Sequence, residues 1–123
     1  MPVVRFADGK SFATIGEEVR DFASRAKAKT LEPTDWEGST FTISNLGMFG
    51  IENFTAIINP PDACILAIGG ISNVPVVKND VVVPGHVMKV TLSCDHRVVD
   101  GATGAAFLQE FKNLLENPVL MLV

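Results

Sequence analysis

The sequence predicts an α/β fold, a mixed sheet flanked by helices. Three observations predict it. Runs rich in Val, Ile and Thr, each of strand length, fall at residues 40–45, 63–68, 74–77, 81–83 and 86–94. Two other stretches repeat apolar residues at helical spacing, around residues 15–26 and 107–115. The order is helix, several strands, then a closing helix, so strands and helices do not alternate strictly and the sheet is not all parallel. At 123 residues the chain is one domain at most.

Val3 to Phe6 reads as a short strand, and Asp8-Gly9 as a turn. Thr14 stands three residues before Glu17, which has the form of a capping box with Thr14 as N-cap. Ile15, Val19, Phe22, Ala23 and Ala26 then form the apolar stripe of a first helix. Arg20, Arg25, Lys27 and Lys29 gather toward its C-terminal end, where cations suit the helix dipole. They read as a solvated face rather than a phosphate site. Residues 31–39 form a polar connection in which Trp36 is expected to pack.

Residues 40–45 alternate Phe41 and Ile43 against Thr42 and Ser44, the period of a half-buried strand. Gly47 and Gly50 punctuate the next loop but do not amount to a phosphate cradle. Asn59-Pro60-Pro61-Asp62 is a rigid turn, and the apolar run that follows fits a central strand covered on both faces. Lys78-Asn79-Asp80 separates two valine-rich runs as a hairpin would, and Pro84-Gly85 reads as a further turn. Phe107, Phe111, Leu114 and Leu115 give the last helix, which stops before Pro118.

Hydrophobic residues make up 47% of the chain. A chain this apolar is expected to bury part of its surface against partner chains or further sequence. The net charge of −4 and the lack of a basic cluster give no reason to expect nucleic acid. No apolar run reaches membrane-spanning length, so no membrane partner is expected. Cys64 and Cys94 lie in apolar runs without metal-ligand spacing, and buried free thiols in a reducing compartment are their expected state. Alternate residues of a strand share a face, so a reactive Cys94 two residues before His96 is the competing reading. No metal site is expected.

Asp95-His96-Arg97-Val98-Val99-Asp100-Gly101 is the richest stretch in ionisable groups. It places a histidine where a strand ends and a helix begins. An imidazole titrates near neutral pH and suits a general base. The plainer reading has Asp100 as the N-cap of the next helix, and Asp95 with Arg97 as a surface ion pair. His86 lacks acidic neighbours and is expected to be exposed or structural.

The pattern D-H-R-x-x-D-G at residues 95–101 resembles the signature of the dihydrolipoamide acyltransferases, the catalytic domains of 2-oxo acid dehydrogenase complexes. Residues 40–50, with Phe41-Thr42-Ile43-Ser44-Asn45, and residues 57–69, with Ile57-Ile58-Asn59-Pro60-Pro61, resemble two further blocks of that family in the same order. Residues 46–50, 54–58 and 63–67 are most similar to the acetyl-transferring branch of pyruvate dehydrogenase complexes, and residues 116–123 resemble its natural C-terminus. The resemblance covers nearly the whole chain. It implies the chloramphenicol acetyltransferase-type fold. It also implies that residues 1–123 are the C-terminal part of a single catalytic domain, whose first half, lipoyl domains and peripheral-subunit-binding domain lie outside.

The resemblance implies transfer of an acetyl group between dihydrolipoamide and coenzyme A. It carries over His96 as base and then acid, Ser44 as oxyanion donor and Asp100 as a residue ordering the histidine loop. Asn45 is a lesser candidate for shaping the site. Coenzyme A is a substrate, the lipoyl group rides on a domain outside this chain, and no metal takes part. The resemblance further implies a homotrimer with His96 and Ser44 facing each other across subunits, and trimers joined through residues 120–123 into a hollow cube or dodecahedron. Lipoyl domains, the decarboxylase and dihydrolipoamide dehydrogenase would be partners, in bacterial cytoplasm or mitochondrial matrix, and this chain alone would lack part of the site. A non-catalytic core component of the same complex, specificity for another acyl group, and a chloramphenicol-type activity are the competing readings.

Overall fold

The computed structural model describes residues 1–122. It contains two compact units, Met1–Ser39 and Thr40–Val123.

The first unit holds helix α1, Phe12–Ala28. It starts a turn earlier than the capping pattern at Thr14 predicts. Ser11 is the N-cap, and its Oγ accepts from the Thr14 amide at 3.2 Å. Both Ser11 and Thr14 can cap; the first wins because nothing between them prevents helical backbone. The helix ends with Lys29 in the left-handed region, φ 59°, while the Lys29 and Thr30 amides donate back to Ala26 and Arg25 carbonyls. Arg25 is not a free cation. It bonds Asp21 at 2.8 Å and Asp35 at 2.6 Å, and lies 5.1 Å from the Phe22 ring centroid.

Two further expectations fail in this unit. Residues 3–6 are not a strand: the Val3 amide donates to the Asp35 carbonyl, and Phe6 turns into the left-handed region at φ 52°. β-Propensity needs a ladder partner, and this unit has no sheet. Trp36 is 44% exposed rather than packed.

The second unit is a three-stranded mixed sheet in the order β1-β2-β3. β1 is Thr42–Asn45, β2 is Cys64–Lys78 and β3 is Val81–Cys94. β1 runs parallel to β2, and β3 antiparallel to it. The two short valine-rich runs are not separate strands but the ends of β2 and β3. Asn79 and Asp80, φ 50° and 61°, make the two-residue turn between them, the geometry that matches strand twist. Pro84-Gly85 therefore lies inside β3 and makes no turn. Pro75 and Pro84 face each other in the ladder. Counting back from the turn, theirs is a non-hydrogen-bonded pair, where a missing N–H costs no ladder bond.

The core is the start of β2. Cys64, Ile65, Leu66 and Ala67 are successive and all buried, so both faces of this strand are covered, as the apolar run predicts. Helix α2, Gly101–Glu116, covers one face; the Phe107 ring lies against Phe41 at a 44° tilt with ring centroids 5.7 Å apart. The segment after β1 crosses the other face. There the Gly70 amide donates to Ile51, Lys89 pairs with Glu52 at 2.5 Å, and the Thr91 hydroxyl donates to Asn53 Oδ1 at 2.8 Å. α2 ends before Pro118 as expected, and residues Pro118–Leu122 form a 3-10 turn.

Beyond this core much apolar surface is open. Ile71 is 71% exposed, Val82 67% and Leu122 77%. That agrees with a chain more apolar than its own core requires.

Gly69 shows how closely the crossing segment sits. A Cβ there would lie 2.0 Å from the Glu52 carbonyl oxygen, whereas one at Gly101 meets nothing. Gly69→Ala is expected to lower unfolding free energy by about 1–3 kcal/mol or more, the cost of overpacking. Gly101→Ala should leave it nearly unchanged. Paired denaturant titrations check this.

Candidate active site

The histidine loop is built by Asp95. β3 ends at Cys94, and the Asp95 amide still donates to Ala63 at 2.8 Å, so the sheet holds the loop's first residue. The Asp95 carbonyl accepts from both Val98 and Val99 amides at 2.9 Å, which closes the turn around His96. Its carboxylate accepts from the Arg97 amide at 3.0 Å and the Arg97 guanidinium at 2.6 Å. Arg97 holds the Asp95 carboxyl down at about 2, from an ordinary 3.8.

Asp100 closes the loop from the other side. As N-cap of α2 its Oδ1 accepts from the Thr103 amide at 2.7 Å, and this bonding keeps its carboxyl below its ordinary value. Both plainer readings therefore hold: Asp100 caps the helix and Asp95 pairs with Arg97. Between them His96 is exposed, with no hydrogen-bond partner in the chain among the described residues. The turn leaves the strand at Asp95, so Cys94 and His96 do not share a strand face. Burial pushes the Cys94 thiol up, which disfavours the thiolate. His86, opposite Asn73 on β3, is exposed as expected.

Ser44 is half-buried on β1 and pairs with Ala67 of β2. Asn45 next to it accepts from the Gly47 amide at 2.9 Å and starts the turn that leaves the strand. Ser44 and His96 are not brought together within the chain. The ladder puts Ser44 three rows from the Cys64/Cys94 row and two strands over. That is roughly 10 Å along the strands and roughly 10 Å across them, before the loop begins. Two surface grooves, one beside Gln109 and Asn113 on α2 and one beside Val74 and Val83 on the hairpin, touch neither residue.

Sequence reasoning missed the polar pairs that fix the crossing segment. Thr42, 5% exposed, donates its hydroxyl to Asp62, also 5% exposed. The alternation pointed the other way: it sets Phe41 and Ile43 inward, whereas Ile43 is 62% exposed and Thr42 takes the buried side. Glu52–Lys89 and Asn53–Thr91 left no signal, because their partners are distant in sequence. No group of three or more His, Cys, Asp or Glu residues is placed to hold a metal among the described residues. No helix of the described residues is long and apolar enough to cross a membrane.

The profile of the family "2-oxoacid dehydrogenases acyltransferase (catalytic domain)" matches residues 1–123. The chain belongs to this family. Among its relatives, the dihydrolipoyllysine-residue acetyltransferase component of the pyruvate dehydrogenase complex of Rickettsia bellii is 49% identical over 122 residues, 99% of this chain and 29% of that protein. Component 2 of the mitochondrial complex of Arabidopsis thaliana is 54% identical over 126 residues, 100% of this chain and 23% of that protein. The chain thus spans under a third of the curated relatives it matches.

Two solved structures carry the same fold. The cubic core of a pyruvate dehydrogenase multienzyme complex superposes with a TM-score of 0.95 at 35% identity, over 99% of this chain and 50% of that one. Dihydrolipoamide acetyltransferase of Azotobacter vinelandii superposes with a TM-score of 0.94 at 36% identity, again over 99% and 50%. That structure addresses the role of a serine, a histidine 52 residues further on and an asparagine four residues after it in the catalytic mechanism. Ser44, His96 and Asp100 stand at the same two intervals in this chain, with aspartate in the last place.

The depressed Asp95 carboxyl sets a pH dependence. Because its folded pKa lies below its ordinary value, its contribution is complete above about pH 4 and is lost as pH falls through about 2. The Arg97 amide resonance is expected to titrate in that acid window and not near pH 4. Asp95→Asn should remove the titration, which an NMR pH series would check.

Proposed function

We propose that the chain supplies the histidine half and the serine half of an acyltransferase site that moves an acetyl group between dihydrolipoamide and coenzyme A. The observation that carries the reading is the matched spacing of Ser44, His96 and Asp100, together with an unpartnered imidazole on a loop tied at both ends. A thioester is already activated, so the chemistry requires a base for the attacking thiol and a donor for the tetrahedral oxyanion. His96 takes the thiol proton and returns it to the departing thiolate. Ser44 donates to the oxyanion. Asp100 orders the loop through the α2 cap and does not touch the reacting atoms. Asn45 shapes the backbone beside Ser44.

The separation of Ser44 from His96 within one chain supports a site completed between subunits. In this reading one chain's His96 faces its neighbour's Ser44 in a homotrimer. The open apolar surface of the hairpin and of residues 118–122 suits such contacts, and a hollow core is the larger assembly; Val123 lies outside the described residues. The chain is then the C-terminal part of one catalytic domain. Coenzyme A and a lipoyl group carried on another domain are its substrates, and a decarboxylase and dihydrolipoamide dehydrogenase its partners. The compartment is bacterial cytoplasm or the mitochondrial matrix.

The test is acetyl transfer from acetyl-CoA to dihydrolipoamide by the assembled protein, with chloramphenicol as the competing acceptor. His96→Ala should lower transfer by about 10²–10⁴-fold with assembly intact. A change within about twofold would remove His96 from the base role.

Ser44→Ala should lower kcat by about 10²–10³-fold and leave KM for coenzyme A nearly unchanged, since an oxyanion donor acts in the transition state. A rise in KM alone would make Ser44 a binding residue.

A further inference from the structure

Cys64 and Cys94 play no part in the proposed chemistry, yet they are register partners on adjacent antiparallel strands. The Asp95 amide donates to Ala63, which makes Ala63/Asp95 a hydrogen-bonded pair. Hydrogen-bonded and non-bonded pairs alternate, so Cys64/Cys94 is a non-bonded pair, the kind in which Cα atoms approach to about 4.5 Å and side chains are closest. That lies at the near edge of the Cα separation a disulfide spans, about 4.4–6.8 Å. The two Sγ atoms are 3.5 Å apart and both thiols are free. Both side chains lie on the face covered by α2, where a Cβ at Gly104 would come within 3.5 Å of Cys94 Sγ.

We propose that Cys64 and Cys94 form a redox-active dithiol that a peroxide converts to a cross-strand disulfide without moving the backbone. Each thiol gives up its hydrogen and one S–S bond forms. With hydrogen peroxide as oxidant the O–O bond breaks, and the peroxide takes up the two electrons and two protons and leaves as two waters. A soft metal ion is the poorer ligand, since no third His, Cys, Asp or Glu joins the pair among the described residues. Burial keeps the Cys94 thiol protonated, so the pair reacts slowly and stays reduced until peroxide is sustained. The bond, once made, ties the buried start of β2 to the last residue before the histidine loop. The chemistry stands apart from the acyl-transfer reading.

The test treats the purified protein with hydrogen peroxide in its native state, then unfolds, alkylates and maps it by mass spectrometry. Met48, 80% exposed, reports internally that oxidant has acted. By the time Met48 is sulfoxide, both thiols should be lost together and the mass of the cysteine peptides should fall by two hydrogens. A single linked peptide pair should join Cys64 to Cys94 within one chain, and dithiothreitol should reverse it. Cys64→Ser and Cys94→Ser should each abolish the link. The wild-type map decides the matter even if a variant folds poorly. Full alkylation of both cysteines after Met48 is oxidised, loss of one cysteine alone to higher oxides, or a link between two chains would each overturn the proposal.

Discussion

The pairing of β2 with β3, whose register shifts once between Ile68 and Ile71, is the constraint from which the rest of the second unit follows. The pairing sets Ala63 opposite Asp95, Cys64 opposite Cys94 and Gly69 beneath the crossing segment. A slip of one residue would send Ile65 and Ala67 to the wrong face and release the Asp95 amide from Ala63. Two local features set the register of the hairpin end, beyond the shift between Ile68 and Ile71. The Asn79–Asp80 turn adopts positive φ at both residues, which fixes the number of residues in the loop. The facing prolines at 75 and 84 fit only where the ladder needs no donor.

The same register explains why the histidine loop is firm although it is exposed. Its first residue belongs to the sheet, and its last belongs to the helix cap. The turn between is closed on a single carbonyl, that of Asp95, with Arg97 folded back on the carboxylate. An exposed ion pair of this kind contributes little to overall stability. Its effect is local: it restricts the backbone on either side of His96 and leaves the imbalance of polar groups at the loop's tip, where the imidazole has no partner of its own. The loop therefore holds its histidine in place and leaves the imidazole unoccupied.

β1 serves a different end. It is short and pairs only with the buried start of β2, so Ser44 is held at a fixed height on the sheet while Thr42 anchors the strand through Asp62. The sheet that positions the serine and the histidine so firmly is also what keeps them apart. Ser44 lies on the strand farthest from the one that leads into the histidine loop, and the apolar residues of the hairpin and the last turn stay uncovered.

The residues by themselves determined the order of helix, strands and closing helix, the doubly covered run at 63–68, the Lys78–Asp80 hairpin, the stop before Pro118 and the plain roles of Asp95 and Asp100. These rest on short-range periodicity and on capping and turn chemistry, which neighbours in sequence carry. The motif at 95–101 and the blocks at 40–50 and 57–69 also identified the family. Tertiary structure decided the rest. Residues 3–6 have strand-like composition but no ladder to join, and Ser11 and Thr14 offered competing caps that only the folded helix resolved. The valine runs merged into two long strands because cross-strand bonds, not Pro84-Gly85, set their limits. The partners of Glu52, Asn53, Thr42 and Cys64 lie 20 or more residues away, and no local pattern encodes a contact across such a separation.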